Sequence, residues 1–393
     1  MLFVMERCRR LVILILAFAL GAALPAQSQQ TASFKQSQTA SIPAAEFSRI
    51  VQTFSEEGGY FQSDNFTSNE TSYLHVVPKL KELGVSGGAY IGVGPEQNFT
   101  YIAKVRPSIA FIIDIRRLAV IQHLFYKAVF HLAKDRAEFF SLLFSRSLSE
   151  DRRETKGTVL GLMSYIYHAP DDRALLNTNL RTIRQTIEHD FKIPLSSEDK
   201  EGLTYIGYVF WRMNLGVSWG SGFPSLADLI METDLDGNSG NFLATEEDYQ
   251  FLRNLQEQNR IIPVVGDFGG SQGLAAIAGY LKENGYTVSA FYTSNVEEYL
   301  YGDGKFGGFV ANVRRLPINN RSVFIRAVKA YLGLDPHPAW VSGYRMITLL
   351  EKIPVFMDDY DHGRYRDYWD LVLTHYIEGT KSPTTTSPTP QLE

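Results

Sequence analysis

The stretch Tyr90-Ile91-Gly92-Val93-Gly94-Pro95-Glu96-Gln97-Asn98 constrains this chain more than any other. An apolar run over residues 88–93 reads as a strand that ends in two glycines. Glycine at a strand end permits backbone torsions that other residues resist and lets a ligand approach the main chain. Pro95 then opens a helix, at a position where its missing N–H costs nothing. The N-terminus of such a helix offers free N–H groups and the positive end of a dipole. A second apolar strand, 108–113, ends in Asp114, about 20 residues beyond the glycines, where a carboxylate can accept bonds from ribose hydroxyls. The third glycine of the dinucleotide-binding pattern is absent, and Asn98 stands near its place. Two roles fit Asp114: ribose contact, or a cap on the helix that starts at Arg116-Arg117.

The same grammar recurs downstream. Val264-Val265-Gly266-Asp267-Phe268-Gly269-Gly270 ends a strand with an acid and glycines. Asp267 suits an adenine or polar ligand, or equally a cap on a helix over 272–283. Asn284-Gly285 stops that helix. A strand over 286–292 leads to Ser294, Asn295 and Glu297, which serve a ligand or an N-cap. The alternation predicts an α/β, Rossmann-like fold: a mostly parallel sheet with helices on both faces. A mainly helical insertion occupies about 150–258. Residues 117–144 read as one long helix, and 324–332 and 339–350 as two more. Residues 73–83 form a short helix that Pro78 divides.

The ends of the chain differ in character. Arg7, Arg9 and Arg10 precede an apolar run from Leu11 to Leu24, and Ala26-Gln27-Ser28 supplies small residues for cleavage. Residues 1–28 therefore read as a signal peptide. The run is short of the roughly 20 residues that span a bilayer, so no stable membrane span is expected after cleavage. Retention as an N-terminal anchor is the alternative. Residues 29–43 read as a flexible linker, 44–380 as the folded domain and 381–393 as a Ser/Thr/Pro tail. The single cysteine, Cys8, lies inside the signal. A mature chain without thiols excludes disulfides, thiol catalysis and Cys-ligated zinc, and suits a bacterial periplasm. A net charge of −5 argues against general nucleic-acid binding.

Other motifs compete. Gly216-Val217-Ser218-Trp219-Gly220 matches the Gly-x-Ser-x-Gly nucleophile elbow of secreted serine hydrolases, but Ser221-Gly222-Phe223-Pro224 follows as loop where a helix is needed. Asp234-Leu235-Asp236-Gly237-Asn238 begins like a calcium loop with its glycine one place early. Asp358-Asp359-Tyr360-Asp361-His362 reads as an exposed acidic turn. No metal is expected.

The stretches Gly59-Tyr60-Phe61-Gln62-Ser63-Asp64-Asn65 with Ser68-Asn69-Glu70, then 92–102, 111–117, 263–268 and 294–297, together resemble an uncharacterised bacterial protein family with a class I S-adenosylmethionine-dependent methyltransferase-like fold. That resemblance implies a cofactor site of Gly92, Gly94, Glu96, Asn98, Asp114 and Asp267. Gly92 and Gly94 would line the methionine and ribose portion, Asp114 the ribose hydroxyls and Asp267 the adenine. Asn65, Glu70, Ser294 and Asn295 would face the substrate, with Glu70, Asp267 or Glu297 as a general base. Such methyltransferases usually carry an acid before the first glycine. Here Gly88-Ala89-Tyr90-Ile91 has none, and Glu96 follows the turn instead. The expected function is a methyltransferase-like protein that binds a nucleoside-containing small molecule such as S-adenosylmethionine. A non-catalytic periplasmic binding protein on the same fold, and a serine hydrolase acting through Ser218, are the alternatives. Oligomeric state is left open.

Overall fold

Short apolar runs become strands here because pairing satisfies their backbone while both of their faces are covered. The computed structural model describes residues 41–148, 157–332 and 335–380. The signal, most of the linker and the Ser/Thr/Pro tail lie outside the described residues. Five strands run parallel: β1 (Ala89–Gly92), β2 (Ile109–Asp114), β3 (Ile261–Val265), β4 (Val288–Ser294) and β5 (Val323–Lys329). Then β6 (Tyr331–Leu332) and β7 (Asp335–Pro336) form a separate antiparallel ribbon. β8 (Met346–Lys352) returns antiparallel beside β5, and β9 (Ile377–Glu378) pairs with β8. The protein is thus α/β, with a mostly parallel, mixed seven-stranded sheet of order β3-β2-β1-β4-β5-β8-β9. From β1 the chain proceeds outward to β2 and β3, then re-enters on the other side at β4. That reversal opens a crevice beyond the carboxyl ends of the strands.

Successive side chains of a strand point to opposite faces, and β4 shows what covers each. Phe291 packs on Phe268 and Phe309, with ring centroids 5.0 and 6.1 Å away. Tyr292, the next residue, meets Tyr101 at 5.0 Å. The helices α1 (Ala44–Phe54), α2 (Val77–Glu82), α3 (Gln97–Val105), α4 (Arg117–Leu132) and α5 (Arg136–Phe144) precede the insertion. The insertion contributes α6 (Val159–His168), α7 (Arg173–Gln185), α8 (Ser197–Met213), α9 (Leu226–Met231) and α10 (Glu246–Glu257). α11 (Gly273–Glu283), α12 (Val296–Gly302), α13 (Phe306–Val313), α14 (Ile353–Asp361) and α15 (Tyr368–Leu373) follow. α4 is buried nearly all round because the insertion covers its outer side. Phe125 of α4 stacks on Phe210 of α8, and Phe130 on Tyr249 of α10.

Three sequence expectations change. Residues 117–144 form two helices, not one, since Ala133–Asp135 breaks the run and the Asp135 side chain caps α5 at Glu138 N. Residues 324–332 and 339–350, expected as helices, supply the strands β5 and β8. The charged Arg326 at the centre of β5 is buried with partners from outside its strand. Arg326 of β5 bonds Glu297 of α12 through Nε and Nη2 (2.7 and 3.0 Å) and Glu351 of β8 through Nη1. The acidic stretch 358–362 is not a turn but the end of α14. Asp359 is fully buried there, bonded by Arg364, Tyr365 and His375, while its acidic neighbours stay exposed.

Replacing Arg326 by Met leaves two buried carboxylates without their cation. The expected loss, read by urea unfolding, is roughly 3–5 kcal/mol. Adding Glu297→Gln and Glu351→Gln to that variant should recover most of it.

Candidate functional site

The glycine turn is held from inside. Gly92 is buried, and a Cβ on it would run into Asn98 Oδ1 and the Tyr90 ring. Tyr90 OH donates to Asn98 Oδ1 at 2.9 Å. Asn98 Nδ2 in turn points at the carbonyls of Val93, Gly94 and Pro95, at 2.8, 3.1 and 2.8 Å. His123 of α4, kept neutral by burial that lowers its pKa to about 4, donates from Nε2 to the Gly94 carbonyl at 2.8 Å. Asn98 therefore works as a brace, not as a stand-in for the third glycine. Gly94 is the half-buried member of the turn that faces the cleft. Its φ of +80° favours glycine, and a Cβ there would meet nothing within 4 Å.

Beyond this turn lies a cleft of about 670 Å³, a size that accommodates small-molecule ligands. Gly94, Asp114, Asp267, Ser294, Asn295, Asn65 and Glu70 all line it. The ends of β1, β2, β3 and β4 thus converge on one space. Gly92, Glu96 and Asn98 do not reach it and support its floor.

Each strand-end acid already has a partner. Asp114 Oδ1 accepts from Arg116 N and Nε (2.9 and 3.0 Å), and Oδ2 from Arg116 Nη2 at 2.7 Å. Asp114 thus tethers Arg116 just before α4 without capping the helix, and it borders the cleft. Arg116 Nη1 also binds the carbonyls of Ser63 and Asp64, so the loop before Glu70 is clamped over the strand ends. Asp267 receives Gly269 N at 2.9 Å and pairs with Lys305 at 2.7 Å, and it does not cap α11. Glu56 accepts from Asp267 N, fastening the same loop to β3. Opposite, Trp219 donates to Asn65 Oδ1 and stands edge-on to Phe223, 4.4 Å away. The insertion thereby supplies one wall of the cleft.

The floor holds two buried acids. Glu70 accepts from Ser294 Oγ at 2.5 Å, Tyr292 OH at 2.7 Å and Gln97 Nε2 at 3.0 Å. Ser294 adopts a left-handed backbone (φ 53°) at a register shift in β4, and this aims its hydroxyl at Glu70 instead of at the helix that follows. Ser68 Oγ bonds Gln97 Oε1, and Ser68 N together with Thr67 Oγ1 donates to Glu96 Oε1. Burial raises the pKa of both acids, Glu96 to about 7. Sequence reasoning missed Gln97, Tyr292, Thr67, Ser68 and Arg116. Gln97 and Tyr292 sit beside residues it did select, but nothing local signals that their side chains meet.

The competing motifs stand elsewhere in character. Ser218 lies in a loop between α8 and α9, its Oγ contacting the Gly220 carbonyl, with no elbow around it. Asp234 Oδ1 accepts from the backbone of Asp236 and Asn238, an ordinary turn. Among the described residues, no group of His, Cys, Asp or Glu is arranged to hold a metal ion. Nor is any helix among them long and apolar enough to cross a membrane.

Open α/β sheets commonly bind ligands in a crevice of this kind, beyond the carboxyl ends of their strands. Residues 65–348 match a family defined by a domain of unknown function, DUF7790, and the chain belongs to that family. The matched span contains every candidate site residue. The chain matches no curated protein sequence.

Glu96 holds its proton up to about pH 7 when folded, against an ordinary value of 4.5. The folded state binds more protons in that window, so Glu96 erodes stability as pH rises from about 4.5 to 7. Glu96→Gln should therefore be more favourable at pH 8 than at pH 4.5, by roughly 2–3 kcal/mol of unfolding free energy. Denaturant titrations at the two pH values check this; an equal effect at both would remove the buried acid from the account.

Proposed function

We propose that this protein is methyltransferase-like, binding a nucleoside-containing small molecule of the S-adenosylmethionine type in the strand-end cleft of a Rossmann-like sheet. One observation carries the reading: the acids closing β2 and β3 and the open glycine closing β1 line the same cleft. The strand order β3-β2-β1-β4-β5, with an antiparallel strand next to β5, supports it.

The residues fit such a ligand in part. The space where a Gly94 Cβ would stand is open, so a ligand can lie against the main chain. Asp114 has its guanidinium on one edge, which leaves Oδ2 able to accept one more bond, to a single hydroxyl. Asp267 and its partner Lys305 border the far end. When bound, S-adenosylmethionine supplies an activated methyl group. The chain's own contribution is positioning, which is worth much of a transfer barrier. Asn98 and His123 hold the turn, Arg116 holds the covering loop, and Trp219 and Phe223 wall off solvent. The export reading of residues 1–28 remains part of the proposal. An exported protein would meet little S-adenosylmethionine, so the compartment is tested alongside the ligand.

The test is thermal unfolding with S-adenosylmethionine and S-adenosylhomocysteine. Binding to the folded state alone raises the melting temperature by mass action. A rise of a few degrees at millimolar ligand, largely abolished by Asp114→Asn, is expected. No shift with either ligand would sink the proposal. A shift without methyl transfer would favour the non-catalytic binding form. Cell fractionation with and without residues 1–28 should move the protein from the exported fraction to the cytoplasm.

A further inference from the structure

The acids around the cleft are not alike. Asp114 pairs with Arg116 and Asp267 with Lys305. Away from the cleft, the buried Glu297 and Glu351 share Arg326. Glu70 has no such partner. Among the described residues, no cation stands within ion-pair distance of it, although it is only 2 % exposed and lines the cleft. Its three donors are neutral: Ser294, Tyr292 and Gln97. The groups facing it add no positive charge. They are Glu96 before α3, Tyr90 on β1, Tyr101 on α3, Tyr292 on β4 and Tyr368 on α15. A second observation strengthens the imbalance. Glu96, linked to Glu70 through Ser68 and Gln97, is 3 % exposed, and its Oε2 has no hydrogen-bond partner. The cations on the rim are engaged elsewhere, Lys329 with Glu298 and Arg345 with the Gly222 carbonyl.

A buried carboxyl without a counter-ion either keeps a proton or receives a cation from outside. The cleft supplies the route for the second. Near Glu70 the lining offers Ser294, Asn295 and Asn69, whose side-chain oxygens can accept from N–H donors. Trp219, Phe223 and Tyr292 add aromatic surface, which favours a cation carried on an apolar or aromatic body. We infer that the β4 side of the cleft is a subsite for a primary ammonium group on an arylalkyl skeleton, with Glu70 as its counter-charge. This deepens the reading above by naming the class of the second ligand, an amine that would lie beside the nucleoside.

The inference has a direct consequence. Burial raises the pKa of Glu70 and so favours its neutral form. An arriving ammonium ion favours the carboxylate, so the carboxyl proton leaves to solvent while the ion pair forms. Amine binding is therefore coupled to proton release.

The experiment is calorimetric titration of the full chain with 2-phenylethylamine, in buffers of different ionisation enthalpy, with 2-phenylethanol as the uncharged control. Saturable amine binding accompanied by proton release is expected. The alcohol should release none. Glu70→Gln should bind the amine roughly 10- to 100-fold more weakly and release none. Binding of amine and alcohol alike without proton release overturns the subsite, as does absence of amine binding. S-adenosylhomocysteine is titrated in parallel to separate the two readings. If it fails to bind while the amine binds with proton release, the nucleoside reading falls and the ammonium subsite stands. If it binds while the amine does not, the reverse holds.

Discussion

The Asn98 amide is the contact on which the site depends. It spans the glycine turn, its Oδ1 accepting a hydrogen bond from Tyr90 OH and its Nδ2 donating toward three carbonyls. A turn of this kind exposes main-chain oxygens that helix α3 cannot satisfy, and an unpaired buried carbonyl is costly. With Asn98 pointing inward, its neighbour Gln97 also enters the interior. Gln97 then joins Glu70, Tyr292 and Ser68 into one network that ties α3, β4 and the N-terminal loop together. Such networks favour one arrangement when every member is satisfied. The cleft floor has that character except at Glu96 Oε2.

Two buried acid clusters lie on either side of β4, and their contrast organises the molecule. Behind the sheet's antiparallel edge, Arg326 neutralises Glu297 and Glu351, and Tyr365 closes the remaining bonds. That cluster is complete and joins β5, β8 and α12. The Glu70–Glu96 pair has hydroxyls and amides but no cation. Desolvation there outweighs the neutral hydrogen bonds that favour the charge, and both acids shift toward the neutral form. Structural burial and chemical readiness differ here by one guanidinium.

Much of the central unit was legible before any coordinates. The apolar runs of β1 and β2, the glycine turn and the proline-led helix follow from backbone stereochemistry, which acts within a few residues. The acids at the ends of β2 and β3 followed from the same local grammar, and the structure brings both to one cleft. Less legible were β5 and β8. A strand that carries Arg326 at its centre resembles a helical stripe unless the partners Glu297 and Glu351 are known, and these come from 29 and 25 residues away. Asn98 was noticed for the wrong reason, as an absent glycine, because its bracing bonds exist only once the turn has closed.

The sequence by itself determined the alternation of strands and helices, the reversal-prone glycine turns and the acids at strand ends, since these rest on local torsional and hydrophobic preferences. Tertiary structure alone decided which acids acquire a counter-ion. Arg116 takes Asp114, Lys305 takes Asp267 and Arg326 takes two glutamates, whereas Glu70 meets only neutral donors. Charge compensation depends on distance in space and on the loss of water. Neither quantity is written along the chain, because Glu70 and Ser294 stand 224 residues apart and meet only when the loop before α2 folds over the end of β4.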